Sequence, residues 1–250
     1  MNTRHSALTV ASLVAISLLA ACGKKDDAAP AAAPSLASAQ DPGVLAKAAE
    51  AQRAASLPKA DLATPTSAYV SIDSGKQLLD LFYAVSGMPP DMDQIANSLS
   101  QDYRATQDNF KRQDILKVLT PRIKTDIAAA GQHRYVIWEA DNNLIEHYDF
   151  EHKRFPVKPA FWKGESNFYY NDNSQYKISF KGAEKLQYLP VADEAIAREI
   201  EALVDKYQAL RLRLYAFAQD ADLNNKTVKS QTLKLELLDN RGRLLASVSL

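Results

Sequence analysis

Every one of the chain's 11 Tyr, 8 Phe and 2 Trp residues lies at or beyond Tyr69. A stretch without aromatic side chains buries too little apolar area to offset the entropy of ordering it. The 250 residues therefore divide before any motif is read. Residues 67–250, roughly 180 in number, are enough for a single core. Residues 22–66 read as a disordered Ala/Pro-rich tether broken by Pro30, Pro34, Pro42, Pro58 and Pro65, with a mean span of roughly 35–40 Å. Within it, "VLAKAAEAQRAASL" has the composition of a marginal helix.

Past Tyr69 the apolar spacing is first helical. Ser74 caps "GKQLLDLFYAVSG", in which Leu78, Leu79, Phe82 and Tyr83 share a face and Gly87 stops the helix. Asp91 opens a second helix with Met92, Ile95, Leu99 and Tyr103. Asp108 or Asn109 opens a third with Ile115, Leu116 and Leu119. Thr120-Pro121 reads as a fresh cap and first position leading to Ile123 and Ile127. Beyond Gly131 the period shortens to two. "RYVIWEA" (134–140) and "LIEHYDFE" (144–151) are predicted as strands around the turn Asp141-Asn142-Asn143, and "SNFYY" and "YKISF" as a hairpin. Asp193 caps one more helix, with Ile196, Ile200, Leu203, Val204 and Tyr207 as its stripe. "LRLRLYAFA", "TLKLELL" and "LLASVSL" close the chain, the last two joined at Asp239-Asn240-Arg241-Gly242. The pattern predicts an α+β domain: N-terminal helices, then a mainly antiparallel sheet with one intervening helix.

The N-terminal residues give an address. "MNTRHSALTVASLVAISLLAA" has a basic start at Arg4, an apolar run and a small-residue end, the shape of a secretory signal over residues 1–21. The chain's one Cys follows immediately. Leu19-Ala20-Ala21-Cys22 resembles the lipobox of bacterial lipoproteins. This resemblance covers residues 1–27 and implies cleavage before Cys22, diacylglycerol on its thiol and an acylated (palmitate-type) amine. At roughly 0.8 kcal/mol per buried methylene, two or three such chains anchor a protein to a bilayer. Gly23 looks like an outer-membrane sorting signal, although Lys24 and Lys25 stand where some bacteria mark inner-membrane retention. The expected location is the cell envelope, at the outer membrane and facing the periplasm. A lone Cys leaves no disulfide to staple the domain. The whole chain balances 30 basic against 30 acidic residues, and cleavage would remove only Arg4 among them. Such a neutral surface gives nucleic acid no footprint, so the membrane is reached through lipid alone.

Four patterns bear on chemistry. Glu139, Asp141, Glu146, His147, Asp149, Glu151 and His152 supply metal-ligand types, but on a regular strand His147, Asp149 and Glu151 form a solvated face opposite Tyr148 and Phe150. Asp220-Ala221-Asp222-Leu223-Asn224-Asn225 starts like a calcium loop but reaches Gln231 where a bidentate Glu is needed. Ser56-Leu57-Pro58-Lys59 has Ser-x-x-Lys spacing in a segment with nothing to fix a nucleophile. The aromatic-rich stretch from Tyr148 to Phe180 offers a candidate binding surface at Phe161, Trp162, Tyr169 and Tyr170. Phe161 and Trp162 are adjacent, so one should face outward on an extended backbone.

No catalytic constellation is assembled in the sequence, and no cofactor or resident metal is implied. The reading is a lipid-anchored protein whose periplasmic domain binds or scaffolds an envelope protein or a glycan. A cell-wall hydrolase using the 139–152 carboxylates, or an accessory lipoprotein subunit of an envelope complex, are its alternatives.

Overall fold

Ala, Leu, Glu and Gln carry residues Pro42–Ser56 as helix α1. The computed structural model describes residues 42–141, 144–158, 162, 167–208 and 210–250. The signal segment, Cys22, the tether up to residue 41, Asn142, Asn143 and Phe161 lie outside the described residues. By contact, Arg53–Leu250 is one compact unit, separate from Met1–Gln52. Its leading segment is held to its own sheet. The Arg53 guanidinium meets the Asp220 carboxylate at 2.9 and 3.1 Å, and Gln219 donates to the Pro58 carbonyl at 3.0 Å. The Asp61 amide donates to the Tyr135 hydroxyl at 2.7 Å.

Strand β1 (Val70–Ile72) leads to α2 (Gly75–Ser86), where Ser74 and Gln77 form a capping box and Gly87 closes the helix in the left-handed region at φ 68°. Leu78, Leu79, Leu81 and Phe82 of α2 are buried, each worth roughly 1.5–3 kcal/mol in transfer free energy. Helices α3 (Met92–Leu99) and α4 (Gln101–Ala105) meet at Ser100, which caps the second. Helix α5 (Asn109–Gln132) continues through Pro121, where the sequence predicts a new start. Lys117, whose carbonyl loses its helical donor, is exposed, so water can satisfy it. Packing on α2 and burial of Ile123 then hold the helix together.

The remaining strands are β2 (Tyr135–Asp141), β3 (Arg154–Pro156), β4 (Lys177–Lys181), β5 (Tyr188–Pro190), β6 (Arg211–Asp222), β7 (Thr227–Leu238) and β8 (Leu244–Ser249), with helix α6 (Glu194–Asp205) between β5 and β6. The fold is α+β, as predicted. Its six-stranded sheet has the order β1-β2-β6-β7, and β4 and β8 share the far edge of β7. β2, β6, β7 and β8 pair antiparallel, whereas β1 joins β2 and β4 joins β7 in parallel. β3 and β5 form a separate antiparallel pair.

One sheet face carries Trp138, Leu214 and Leu235 in direct register, all buried. On the other face the register aligns Glu139, Arg213 and Glu236. Arg213 donates to Glu139 at 2.6 Å, and the Tyr215 hydroxyl to Glu236 at 2.9 Å. Tyr69 covers part of that face, edge-on to Tyr135 and Tyr215 at 5.2 Å each. The β1 edge is blunted by side chains: Gln77 donates to the Ser71 carbonyl and the Tyr170 hydroxyl to that of Ile72.

Candidate functional site

The predicted strand over 144–151 does not form. Ile145 and Asp149 make single bridges, to Val157 and Arg154, and the chain turns over Phe150–Lys153 with Lys153 at φ 51°. The Asp149 carboxylate is consumed by that turn. It accepts from the His152 amide at 3.1 Å, meets the His152 ring at 2.8 Å and takes Arg154 Nε at 3.1 Å. Phe150, predicted to point inward, is instead the first turn residue and is 81% exposed.

Five of the seven acids and histidines are thereby placed apart in three groups. Glu139 belongs to the sheet face with Arg213, Asp149 and His152 to the turn, and Glu146 and His147 to the segment beside α6. Among the described residues no three His, Cys, Asp or Glu side chains are placed to hold a metal. In the 220–225 segment, Asp222 accepts from the Asn224 and Asn225 amides at 3.1 and 3.3 Å, closing the β6–β7 turn, while Asp220 serves Arg53.

The aromatic candidates separate too. The Trp162 indole donates to the Val157 carbonyl at 2.6 Å, and the half-buried side chain packs on the core. Tyr170 turns inward, its ring 4.6 Å from Trp138, and burial pushes its hydroxyl pKa well above the usual tyrosine range. Tyr169 is 53% exposed. Phe161 lies outside the described residues.

A surface that sequence reasoning missed forms along α6. Asp193 caps this helix through the Ala195 and Ile196 amides, and Ala197 and Ile200 fix its buried side. Outward, Glu201 clamps the neighbouring segment. One carboxylate oxygen lies 2.6 Å from His147 Nδ1, and the other accepts from the Tyr148 amide at 2.9 Å. This bridge has a concavity on each side. The first, of about 430 Å³, lies between Tyr148, Phe150, Ala197, Arg198 and Ala202, with the Phe150 ring edge-on to Tyr148 at 5.1 Å. The second, of about 490 Å³, has Ile145 and Val204 in its lining, with Glu146, Lys158, Asp205 and Tyr207. Nothing in "FEHK" marks a turn, because it lacks Gly, Pro, Asn and Asp, so Phe150 gave no signal of exposure.

A third polar group sits between α2 and α5. Lys76 Nζ bridges Asp80 and Asp126 at 2.7 Å each beside a concavity of about 280 Å³. This triad ties the two helices through Lys76 and Asp126, residues 50 positions apart. No protein-family model, curated protein or solved structure matches the chain.

Proposed function

We propose that this chain is a lipid-anchored envelope protein whose compact domain docks a partner protein on the α6 face. The anchor rests on the Cys22 lipobox, and the docking role on one observation: Phe150 stands 81% exposed at the mouth of an apolar groove. Burying such a ring contributes roughly 1.5–3 kcal/mol, enough for a central anchor of an interface. Glu194, Glu201 and Asp205 border the groove, and its one basic residue, Arg198, is tied to Glu194. The chemistry suits an envelope-protein segment that offers an apolar side chain flanked by basic ones. Among the described residues no helix is long and apolar enough to cross a membrane. Lipid on Cys22 would do the anchoring.

The test is in-cell crosslinking from a photoreactive residue placed at position 198, with identification of the adduct. A discrete envelope-protein adduct is expected, lost in Phe150→Asp while unfolding stability stays within about 0.5 kcal/mol. An unchanged adduct in Phe150→Asp would remove the docking surface from consideration. Cys22→Ser should release the protein from membranes, and continued retention with fatty-acid labelling would sink the anchor.

A further inference from the structure

Helix α6 ends in a paired hydrogen-bond motif that ordinarily takes glycine. The Gln208 amide donates to the Leu203 carbonyl at 2.9 Å and the Tyr207 amide to that of Val204 at 3.0 Å. Tyr207 occupies the left-handed position at φ 51°, which is strained for a side chain with a Cβ and free of strain for glycine. Packing does not repay the strain, because Tyr207 is 81% exposed. Its hydroxyl has no hydrogen bond among the described residues. A strained backbone that displays an aromatic ring to solvent points to use of that ring.

We propose that the hollow beside Tyr207 binds carbohydrate, specifically pyranose rings bearing N-acetyl groups. The hollow shares Asp205 with the Phe150 groove but neither of its aromatic rings, and sugar binding does not depend on the docking role given to that groove. Four features supply the recognition. The Tyr207 ring is an apolar platform with a polar tip, suited to the C–H face of a sugar. Glu146 and Asp205 offer carboxylate acceptors for ring hydroxyls, and Lys158 offers a donor. None of these three side chains has a hydrogen bond or ion pair among the described residues. Half-buried Val204, backed by the buried Ile145, gives the hollow an apolar spot that suits an acetyl methyl group. At about 490 Å³ the hollow falls within the range of small-ligand sites.

The charges select against other ligands. Glu146 and Asp205 line the hollow with Lys158 and His147, and His147 is already engaged by Glu201. A nucleotide or other phosphate would stack on Tyr207 only by facing these carboxylates. Uncharged sugar hydroxyls both donate and accept, and so match acids and lysine alike.

The decisive experiment titrates the full chain in detergent with an N-acetylglucosamine tetrasaccharide by calorimetry, alongside Tyr207→Gly, Asp205→Asn and Phe150→Ala. Saturable binding is expected for the wild type and for Phe150→Ala. Binding should fall about tenfold or more in Tyr207→Gly and several-fold in Asp205→Asn. Thermal unfolding of Tyr207→Gly should occur no earlier than that of the wild type, because glycine relieves the left-handed strain. Absence of saturable binding, or undiminished binding by Tyr207→Gly, overturns the proposal. An earlier unfolding of Tyr207→Gly overturns the strain argument, and equal affinity for a glucose tetrasaccharide overturns the acetylated ligand class. A crosslinked adduct that persists unchanged in Phe150→Asp, alongside intact sugar binding, would count against the docking surface alone.

Discussion

Asp80, 6% exposed on α2, depends on its lysine. Burial pushes its carboxyl above the ordinary 3.8, and Lys76 pulls against that shift. Burial also lowers Lys76, but hydrogen bonds to Asp126 and Asp80 outweigh it and leave the amine above 10.5. Lys76→Met should therefore cost about 2–3 kcal/mol, less than for a fully buried pair because Lys76 is a third exposed. Lys76→Met with Asp80→Asn should recover much of that loss, since no buried charge is left unpaired. Urea unfolding of Lys76→Met, Asp80→Asn and the double variant checks this, and a double loss equal to the sum of the single losses would show that the pair is not coupled. The two groups titrate with opposite signs. The raised Lys76 contributes stability that is present at neutral pH and lost as pH climbs past 10.5. The raised Asp80 instead favours the fold as pH falls toward its protonation. The Lys76–Asp80 spacing is an i,i+4 pair on a predicted helix, but the Asp126 link was not legible in the sequence, because only the packing of α5 on α2 brings it to Lys76. Trp162 and Tyr170 illustrate the same limit. Their composition suits a binding surface, but bonds to Val157 and Ile72 turn them toward the core.

Elements were legible where caps and period agreed. Ser74, Asp91, Asp108 and Asp193 each accept amide hydrogen bonds at the starts predicted for them. Period misled where a local breaker or an alternation was overruled by the surroundings. The 144–151 alternation fails as a strand because the Asp149–Arg154 turn closes too early for a ladder. Tyr207 continues the spacing of α6, but the helix has already ended at Asp205. Pro121 is the reverse case, a breaker tolerated inside a 24-residue helix. Its nitrogen donates nothing to Lys117, and the Thr125 hydroxyl donates to its carbonyl at 3.0 Å. The helix persists through tertiary contact rather than propensity, so restoring the backbone donor should stabilise it. Pro121→Ala is expected to raise stability by about 1–3 kcal/mol and to slow amide exchange over residues 117–125. Unchanged stability would mean that the proline is already accommodated without strain.

For the molecule as a whole, the change from helical to alternating spacing near residue 133 was enough to read the α+β class. The parallel pairs were not readable, because β1–β2 and β4–β7 join segments separated by long crossovers that no local pattern encodes. Three turns share an electrostatic design, two of them in the antiparallel part of the sheet and one ahead of β3. Asp222 is lowered below 3.8 first by the Asn225 side chain, and Asp239 first by the Arg243 amide. Burial would raise Asp149, but the His152 amide and ring together with Arg154 bring it down as well. Each carboxylate closes the turn that follows it, so one proton uptake loosens one connection. A depressed aspartate contributes stability above its unfolded value and loses it as pH falls through its native one. Acidification below about 3.8 should therefore weaken all three turns together, with Asp80 partly offsetting the loss through its opposite shift. The expected result is a urea midpoint that falls steeply below that pH in the wild type. In Asp149→Asn/Asp222→Asn/Asp239→Asn the midpoint should start lower at neutral pH and fall less on acidification, because the neutral amide cannot lose what it never supplied. Parallel acid profiles for the two proteins would show that other carboxylates govern acid unfolding, and the turn aspartates would then be local pins without weight in global stability.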